Sequence, residues 1–293
     1  MKRFSIILIL ALLLALLGGC SSQETADIAA TTLPVYEFTV RLCQGTELRV
    51  TRLVTEQVSC LHDYSLQVSQ MRSVSAAQVV VQSGAGLEDF LSDALAASQG
   101  SLIDASAGIA LLEGSCHHDH EQNHEHAHEH DSHIWLSPAN AKIMAQNICS
   151  GLSSQYPAYV QVFESNLSSL LADLDALQAY GENTLKDLSC RQLVTFHDGF
   201  AYFAEAFDLQ ILHAVEEESG SEASAQLLKE LITTVKQHQL PAIFTETNGS
   251  TAAANVICRE TGAKSYQLDM AMAGNSYFEA MYRNIDTVKE ALG

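Results

Sequence analysis

The chain is 293 residues long and carries 15 basic and 35 acidic side chains, a formal net charge of −20. A nucleic acid needs a basic surface for its phosphates, so this balance excludes nucleic acid as a partner, whereas an acidic surface attracts cations. About 270 residues follow the apolar N-terminal segment, enough for two domains of ordinary size.

The N-terminal segment has the pattern of a secretory signal peptide over residues 1–19. Lys2 and Arg3 precede an apolar run at residues 6–17, which is too short to span a bilayer comfortably. The run ends in Leu-Gly-Gly-Cys20, which resembles a bacterial lipobox. We therefore predict that Cys20 is lipidated and that residues 20–27 form a tether. The protein would then be exported and lipid-anchored at the outer face of the cell membrane, or lie in the periplasm; an uncleaved anchor is the alternative.

Strand and helix patterns alternate after the tether. The predicted elements are a strand at 28–32, a helix at 35–43, strands at 47–54 and 78–82, a helix at 87–97, a strand at 102–105 and a helix from Pro138 to about residue 150. Such alternation predicts a parallel sheet with helices on both faces. These elements define an N-terminal α/β lobe at residues 28–153.

A histidine-rich loop at residues 116–132 interrupts this lobe. Its imidazoles alternate with acidic side chains and have almost no apolar neighbours in the sequence, so the segment is predicted to be solvated. Imidazole and carboxylate suit zinc, which makes the loop a candidate accessory metal site; an acidic insert without a metal role is the alternative. The candidate ligands are His117, His118, His120, His124, His126, His128 and His130. His133 differs because it precedes Ile134-Trp135-Leu136, at the edge of packed structure.

A single long helix is predicted next, and a linker is assigned to residues 154–189. Its apolar residues recur at spacings of four and three, which is one helical face: Phe163, Leu167, Leu170, Leu174 and Leu177. A coiled-coil dimer would need more heptads with charged flanking positions, so we expect a monomer. The alternation then resumes over residues 190–293, with strands at 192–196, 209–214, 242–245 and 264–268, each followed by a helix. The predicted fold is α/β, with two βα lobes joined by one long helix.

Five side chains follow predicted strands or close a loop where a ligand would be held. Ligands of open α/β sheets lie outside the carboxyl ends of the strands. The candidates are His62, His133, His197, Glu246 and Asp269. Each alone could be a helix cap or a satisfied interior polar group, but their shared placement favours a site. The disulfide state of the cysteines beyond Cys20 stays open, because no C-x-x-C spacing occurs among Cys43, Cys60, Cys116, Cys149, Cys190 and Cys258.

Several motifs resemble one family over nearly the whole chain. They are Thr-Leu-Pro-Val-Tyr at 32–36, Leu-His-Asp-Tyr at 61–64, Gly-Ala-Gly-Leu-Glu at 84–88, His-Ile-Trp-Leu-Ser-Pro at 133–138 and Phe-His-Asp-Gly-Phe at 196–200. In these motifs the chain resembles the zinc/manganese branch of the metal-binding solute-binding proteins of bacterial ABC importers. It departs from the family at Ser65, where Glu is frequent, and at Met270, where Pro usually follows the carboxylate.

The resemblance implies a two-lobed metal-binding protein, not an enzyme, that delivers its ion to a membrane permease. It assigns His62, His133 and His197 as ligands, with Asp269 as the fourth. Glu246, which follows a predicted strand, is the alternative fourth ligand. Three imidazoles and one carboxylate suit Zn²⁺ better than Mn²⁺, although a manganese-binding member stays an alternative. A surface zinc buffer or adhesin and a zinc hydrolase are further alternatives, but no H-E-x-x-H motif supports the hydrolase.

Overall fold

The computed structural model describes residues 26–56, 61, 64–114, 130–215, 224–247 and 251–293. The predicted signal peptide, Cys20, His62 and the histidines from His117 to His128 lie outside these residues. Within the described ranges, no helix combines the length and the apolar character that crossing a membrane requires.

The N-terminal lobe is built on a parallel four-stranded sheet. Its elements are β1 (Ile28–Ala30), α1 (Leu33–Leu42), β2 (Val50–Arg52), α2 (Val68–Ala76), β3 (Val79–Gln82), α3 (Ser92–Ala97), β4 (Ser101–Asp104) and α4 (Pro138–Gln155). The strand order is β2-β1-β3-β4. β1 is buried throughout and β3 is buried except at its last residue. Such apolar central strands are expected where helices cover both faces of a parallel sheet.

One long helix, α5 (Val160–Leu185), joins the two lobes. A 3-10 turn at Pro157–Tyr159 precedes it, and its 26 residues span about 39 Å at 1.5 Å per residue. Four of the five residues of the predicted apolar face are fully buried, and Leu167 is half-buried. This face packs against helices of both lobes, which confirms the predicted linker helix.

The C-terminal lobe repeats the arrangement of the first. Its elements are β5 (Gln192–Thr195), α6 (Ala201–Ala206), β6 (Gln210–Ala214), α7 (Ala225–Gln237), β7 (Ala242–Glu246), α8 (Ala252–Thr261), β8 (Lys264–Leu268) and α9 (Tyr277–Leu292). The strand order is β6-β5-β7-β8, again all parallel. Gly262 ends α8 in the left-handed region at φ +81°, a conformation that glycine adopts without strain. The predicted fold of two parallel βα lobes is confirmed.

Two local predictions differ from the structure. No element is predicted for residues 55–77, but α2 lies there. Only Gln70 and Val74 of this serine-rich helix are buried, so its apolar periodicity is weak. The helix predicted at 87–97 is a 3-10 turn at Asp89–Leu91 followed by α3. Glu88 accounts for the late start, because its carboxylate turns back to accept the backbone N–H groups of Ser83 and Gly84.

A strap at residues 270–277, between β8 and α9, fastens the C-terminal lobe to the N-terminal lobe. Three of its carbonyls accept hydrogen bonds across the interface, from Trp135 Nε1 to Met270, from Leu33 N to Met272 and from Arg52 Nη1 to Gly274, at 2.7, 3.1 and 2.8 Å. The backbone N–H of Tyr277 donates to Glu37 at 2.6 Å, and its hydroxyl donates to the Trp135 carbonyl at 2.8 Å. The lobes are therefore held together by hydrogen bonds at the carboxyl end of β8.

Four of the cysteines whose pairing the sequence left open lie in the described part of the chain. Cys43, Cys149, Cys190 and Cys258 are free thiols there, and Cys60 and Cys116 lie outside the described residues. Burial raises the pKa of the Cys43 thiol to about 12, so this side chain behaves as a small apolar group in the core.

Candidate metal centre

His133 is held in place by the packed segment that follows it. Ile134, Trp135 and Leu136 are fully buried in a 3-10 turn, and α4 begins directly afterwards with Pro138 in its first turn. The His133 ring is 4% exposed and lies edge-on to Trp135, with 5.4 Å between the ring centroids. The orientation of this imidazole is therefore set by the N-terminal lobe.

Asp131 fixes which nitrogen of His133 is free. One carboxylate oxygen, Oδ1, accepts both the backbone N–H and the ring Nδ1–H of His133, each at 2.8 Å. An ionised carboxylate can only accept, so Nδ1 carries the proton and Nε2 presents a lone pair. The prediction that residues 116–132 are solvated is wrong at its end, because Asp131 and Ser132 are buried. The D-x-H spacing was the available signal, since Asp side chains commonly bond the backbone two residues on.

His197 comes from the other lobe, two residues after β5 ends at Thr195. The buried rings of Phe200 and Phe203 anchor the helix that follows it. The Nδ1 atom of His197 lies 3.3 Å from Oε2 of Glu246, the last residue of β7, whose side chain is 6% exposed. Nδ1 of His197 therefore carries the proton that faces the Glu246 carboxylate, and Nε2 is the free nitrogen.

The two free nitrogens face each other across the lobe interface. His133 Nε2 and His197 Nε2 are 3.4 Å apart, and the two rings meet edge to face. Two lone pairs at this distance repel each other unless a proton or a metal cation lies between them. Two nitrogens on one tetrahedral zinc, each about 2.0–2.1 Å from the metal, would be about 3.3–3.4 Å apart.

The charge around the imidazole pair is negative. Asp131 and Glu246 are both buried and both bonded to a neutral ring nitrogen, so they bring two negative charges to the pair. Burial by itself lowers the pKa of His197, but the hydrogen bond and charge of Glu246, together with Asp198 and Asp131, outweigh it and the pKa is raised. The site therefore attracts positive charge, and a divalent cation would balance the two carboxylates.

Asp269 is held by hydrogen bonds to residues of the C-terminal lobe. Oδ2 accepts from Nη2 of Arg283 at 2.9 Å, and Oδ1 accepts from the backbone N–H of Ala271 at 2.8 Å. Asn284 on α9 bonds both the N–H and the carbonyl of Asp269. Asp269 and Glu246 also border a cavity of about 430 Å³ beyond the ends of β7 and β8.

The described residues contain only part of the predicted ligand set. Among them, no three His, Cys, Asp or Glu side chains form a group that could hold a metal ion. The structure brings His133 and His197 together with Glu246, Asp269 is bonded to Arg283, and His62 lies outside the described residues. His130 is exposed and forms an antiparallel β-bridge with Glu113, three residues before the histidine-rich loop begins.

The chain is similar to known zinc-uptake proteins over nearly its whole length. The family model described as zinc-uptake complex component A, periplasmic (ZnuA), matches residues 28–291. The chain is 32% identical to the zinc-binding lipoprotein AdcA of Streptococcus pneumoniae (strain ATCC BAA-334 / TIGR4), over 99% of this chain and 61% of that protein. It is 28% identical to the high-affinity zinc uptake system protein ZnuA of Bacillus subtilis (strain 168), over 99% of this chain and 98% of that protein.

A solved structure shows the same fold. The Zn(II)-bound ZnuA-like domain of Streptococcus pneumoniae AdcA superimposes with a TM-score of 0.77 and 26% identity, covering 92% of this chain and 99% of that one. The family consists of solute-binding proteins for metal transport, which confirms the prediction that the chain is not an enzyme. With a family model matched from residue 28 to residue 291, the chain belongs to the ZnuA family, zinc-uptake complex component A.

Proposed function

We propose that this protein captures Zn²⁺ between its two lobes outside the cytoplasm and delivers it to the permease of an ABC-type importer. The ligands proposed are His62, His133 and His197, with Asp269 as the fourth. Lipidation of Cys20 would keep the protein at the outer face of the membrane, as the name of the AdcA relative suggests for that protein.

One observation carries this proposal. The 3.4 Å separation of the His133 and His197 Nε2 atoms matches the edge of a tetrahedral zinc site. Imidazole nitrogen is a ligand that zinc favours, whereas Mn²⁺ favours carboxylate, carbonyl and water oxygens, so a pair of imidazoles suits zinc better than manganese. The relatives and the solved structure whose names include zinc support the same ion.

Competition titration of the metal-stripped protein tests the proposal. We expect one tight equivalent of Zn²⁺ and Mn²⁺ binding weaker by several decades. Each of His62→Ala, His133→Ala and His197→Ala should weaken zinc binding by orders of magnitude and remove the rise in melting temperature that a ligand bound only to the folded state produces. His238→Ala is the matched control, because His238 is exposed and its side chain bonds only Gln192 among the described residues.

Three results would contradict the assignment. Tight zinc binding by the triple histidine variant would place the site elsewhere, and manganese binding as tight as zinc would favour the manganese alternative. Zinc-dependent hydrolysis by the purified protein would favour the hydrolase. Delivery is tested in cells that lack this gene, where growth in zinc-depleted medium should be restored by the wild-type protein and not by His133→Ala.

A further inference from the structure

We infer that Glu246 and Asp131 are positioning residues of the zinc site, each holding one imidazole by its Nδ1 atom so that both Nε2 atoms point at one ion. The inference rests on the proposed function and deepens it. It assigns a role outside the ligand set to Asp131, and it removes Glu246 from the candidates for the fourth ligand.

Glu246 is placed on the far side of the His197 ring from the proposed ion. Its Oε2 atom lies 3.3 Å from Nδ1, whereas Nε2 of the same ring faces His133. The two nitrogens of an imidazole point in nearly opposite directions, so a carboxylate bonded to Nδ1 is not at ligand distance from a metal on Nε2. β7 is buried along its whole length and pairs Glu246 with Leu268, which fixes the backbone beneath this carboxylate.

Asp131 likewise bonds Nδ1 of His133, from only two residues away in the chain. Its Oδ1 bonds the backbone N–H and the ring Nδ1 of one residue, so the backbone and the imidazole are locked together. Its Oδ2 is buried and makes no hydrogen bond within the described part of the chain. A buried carboxylate oxygen without a donor is costly, and a cation held by the neighbouring imidazole pair would offset that cost.

Asp131 holds an imidazole of the N-terminal lobe, and Glu246 holds an imidazole of the C-terminal lobe. Trp135 fixes His133 in the N-terminal lobe and β5 carries His197 in the C-terminal lobe, so neither lobe alone sets the distance between the rings. A carboxylate bonded to the second nitrogen of a metal-binding histidine fixes the tautomer and the ring orientation and raises the basicity of the ligand. Removing such a partner commonly weakens metal binding by about 10–100-fold.

Paired variants of each carboxylate test the inference. Glu246→Ala and Asp131→Ala should weaken Zn²⁺ binding about 10–100-fold in a competition titration. Glu246→Gln and Asp131→Asn keep an oxygen that can accept a hydrogen bond from Nδ1–H. Their zinc affinity should therefore be closer to that of the wild type than to that of the alanine variants. Glu260→Gln on the exposed surface of α8 is the control for loss of one negative charge, and it should bind like the wild type.

The absorption spectrum of the Co²⁺-substituted protein separates a positioning residue from a ligand. All four variants should keep the wild-type d–d band positions and intensity, because the atoms bound to the metal do not change. The inference is overturned if Glu246→Gln binds as poorly as Glu246→Ala and shifts the bands, since Glu246 would then be a ligand. It is also overturned if both alanine variants bind zinc like the wild type.

Two controls distinguish a failure of this inference from a failure of the proposed function. If the wild-type protein binds no tight zinc, or His197→Ala binds it unchanged, the proposed function fails and the inference with it. If the histidine variants lose binding and the carboxylate variants do not, only the inference fails. Urea denaturation of each metal-free variant checks folding, and the glutamine and asparagine variants give the answer where an alanine variant unfolds.

Discussion

A single methyl group added at Gly199 would meet both imidazoles, and it should damage the metal site without adding backbone strain. A Cβ at this position would lie 2.8 Å from Cδ2 of His197, 2.9 Å from Cε1 of His133 and 2.7 Å from Cε of Met270. The backbone of Gly199 does not have positive φ, so alanine is compatible with its conformation. The effect of Gly199→Ala therefore comes from crowding alone.

The size of the effect follows from which neighbours can move. An ordinary carbon contact begins at 3.4 Å, so the two rings are too close to the new methyl group by about 0.5–0.6 Å. The terminal methyl of Met270 can rotate away, but Asp131 and Glu246 hold both imidazoles. A metal constellation tolerates displacements of about 0.5 Å, so we expect zinc affinity to fall about 10–100-fold. Overpacking should also lower the free energy of unfolding by about 1–3 kcal/mol.

Competition titration and urea denaturation of the metal-free protein measure the two effects separately. Gly151→Ala is the matched control, because its Cβ would lie 2.6 Å from Cδ1 of Ile103, in the N-terminal lobe and away from the imidazoles. It should change stability and leave zinc affinity unchanged. If Gly199→Ala binds zinc as tightly as the wild type while both variants fold, the two rings do not hold the ion in the observed arrangement.

Four further results are expected. Burial raises the pKa of Glu88 to about 7, so the folded state keeps this proton to higher pH than the unfolded chain. Relative to Glu88→Gln, the free energy of unfolding measured with urea should fall by about 3 kcal/mol as the pH rises from about 4 to 8; the opposite slope would contradict the burial. Trp135→Phe should cost about 2–4 kcal/mol in the same assay, because the Met270 carbonyl loses its donor. Cys20→Ala should abolish partitioning into detergent, and unchanged membrane association would argue against lipidation. Deleting residues 116–129 should remove weak zinc equivalents seen by titration and keep the tight one.

The sequence predicts the architecture well because burial controls it. The central strands β1, β3 and β7 read as apolar runs since helices cover both of their faces, and α5 shows its face through regularly spaced leucines. The helix α2 escapes prediction because it buries only two side chains. Its stability depends on tertiary contacts such as the bond from Gln70 Nε2 to the Leu53 carbonyl, which a periodicity cannot reveal.

The metal site, like the fold, can be predicted from the sequence only in part. His133 and His197 can be selected from sequence because each adjoins a buried aromatic segment, at the start of a helix or the end of a strand. Their 3.4 Å contact joins residues 64 apart, and the bond of His197 to Glu246 joins strands whose pairing is set only by the folded sheet. Distances of this kind depend on lobe packing. For the same reason the bond between Asp269 and Arg283, which engages the predicted fourth ligand, is not visible in the sequence.

The hydrogen bonds that hold the two lobes together bear on how the ion could leave. His133 and His197 belong to different lobes, so pulling them apart by rigid lobe motion would break the six hydrogen bonds that the strap makes with Leu33, Glu37, Arg52 and Trp135. At about 0.5–1.5 kcal/mol each, these bonds oppose such opening by roughly 3–9 kcal/mol, and buried apolar surface between the lobes adds to that. The contacts that preorganise the imidazole pair for capture therefore also oppose release. Under the proposed function, delivery through lobe opening has to be coupled to contacts with the permease that compensate for the broken bonds.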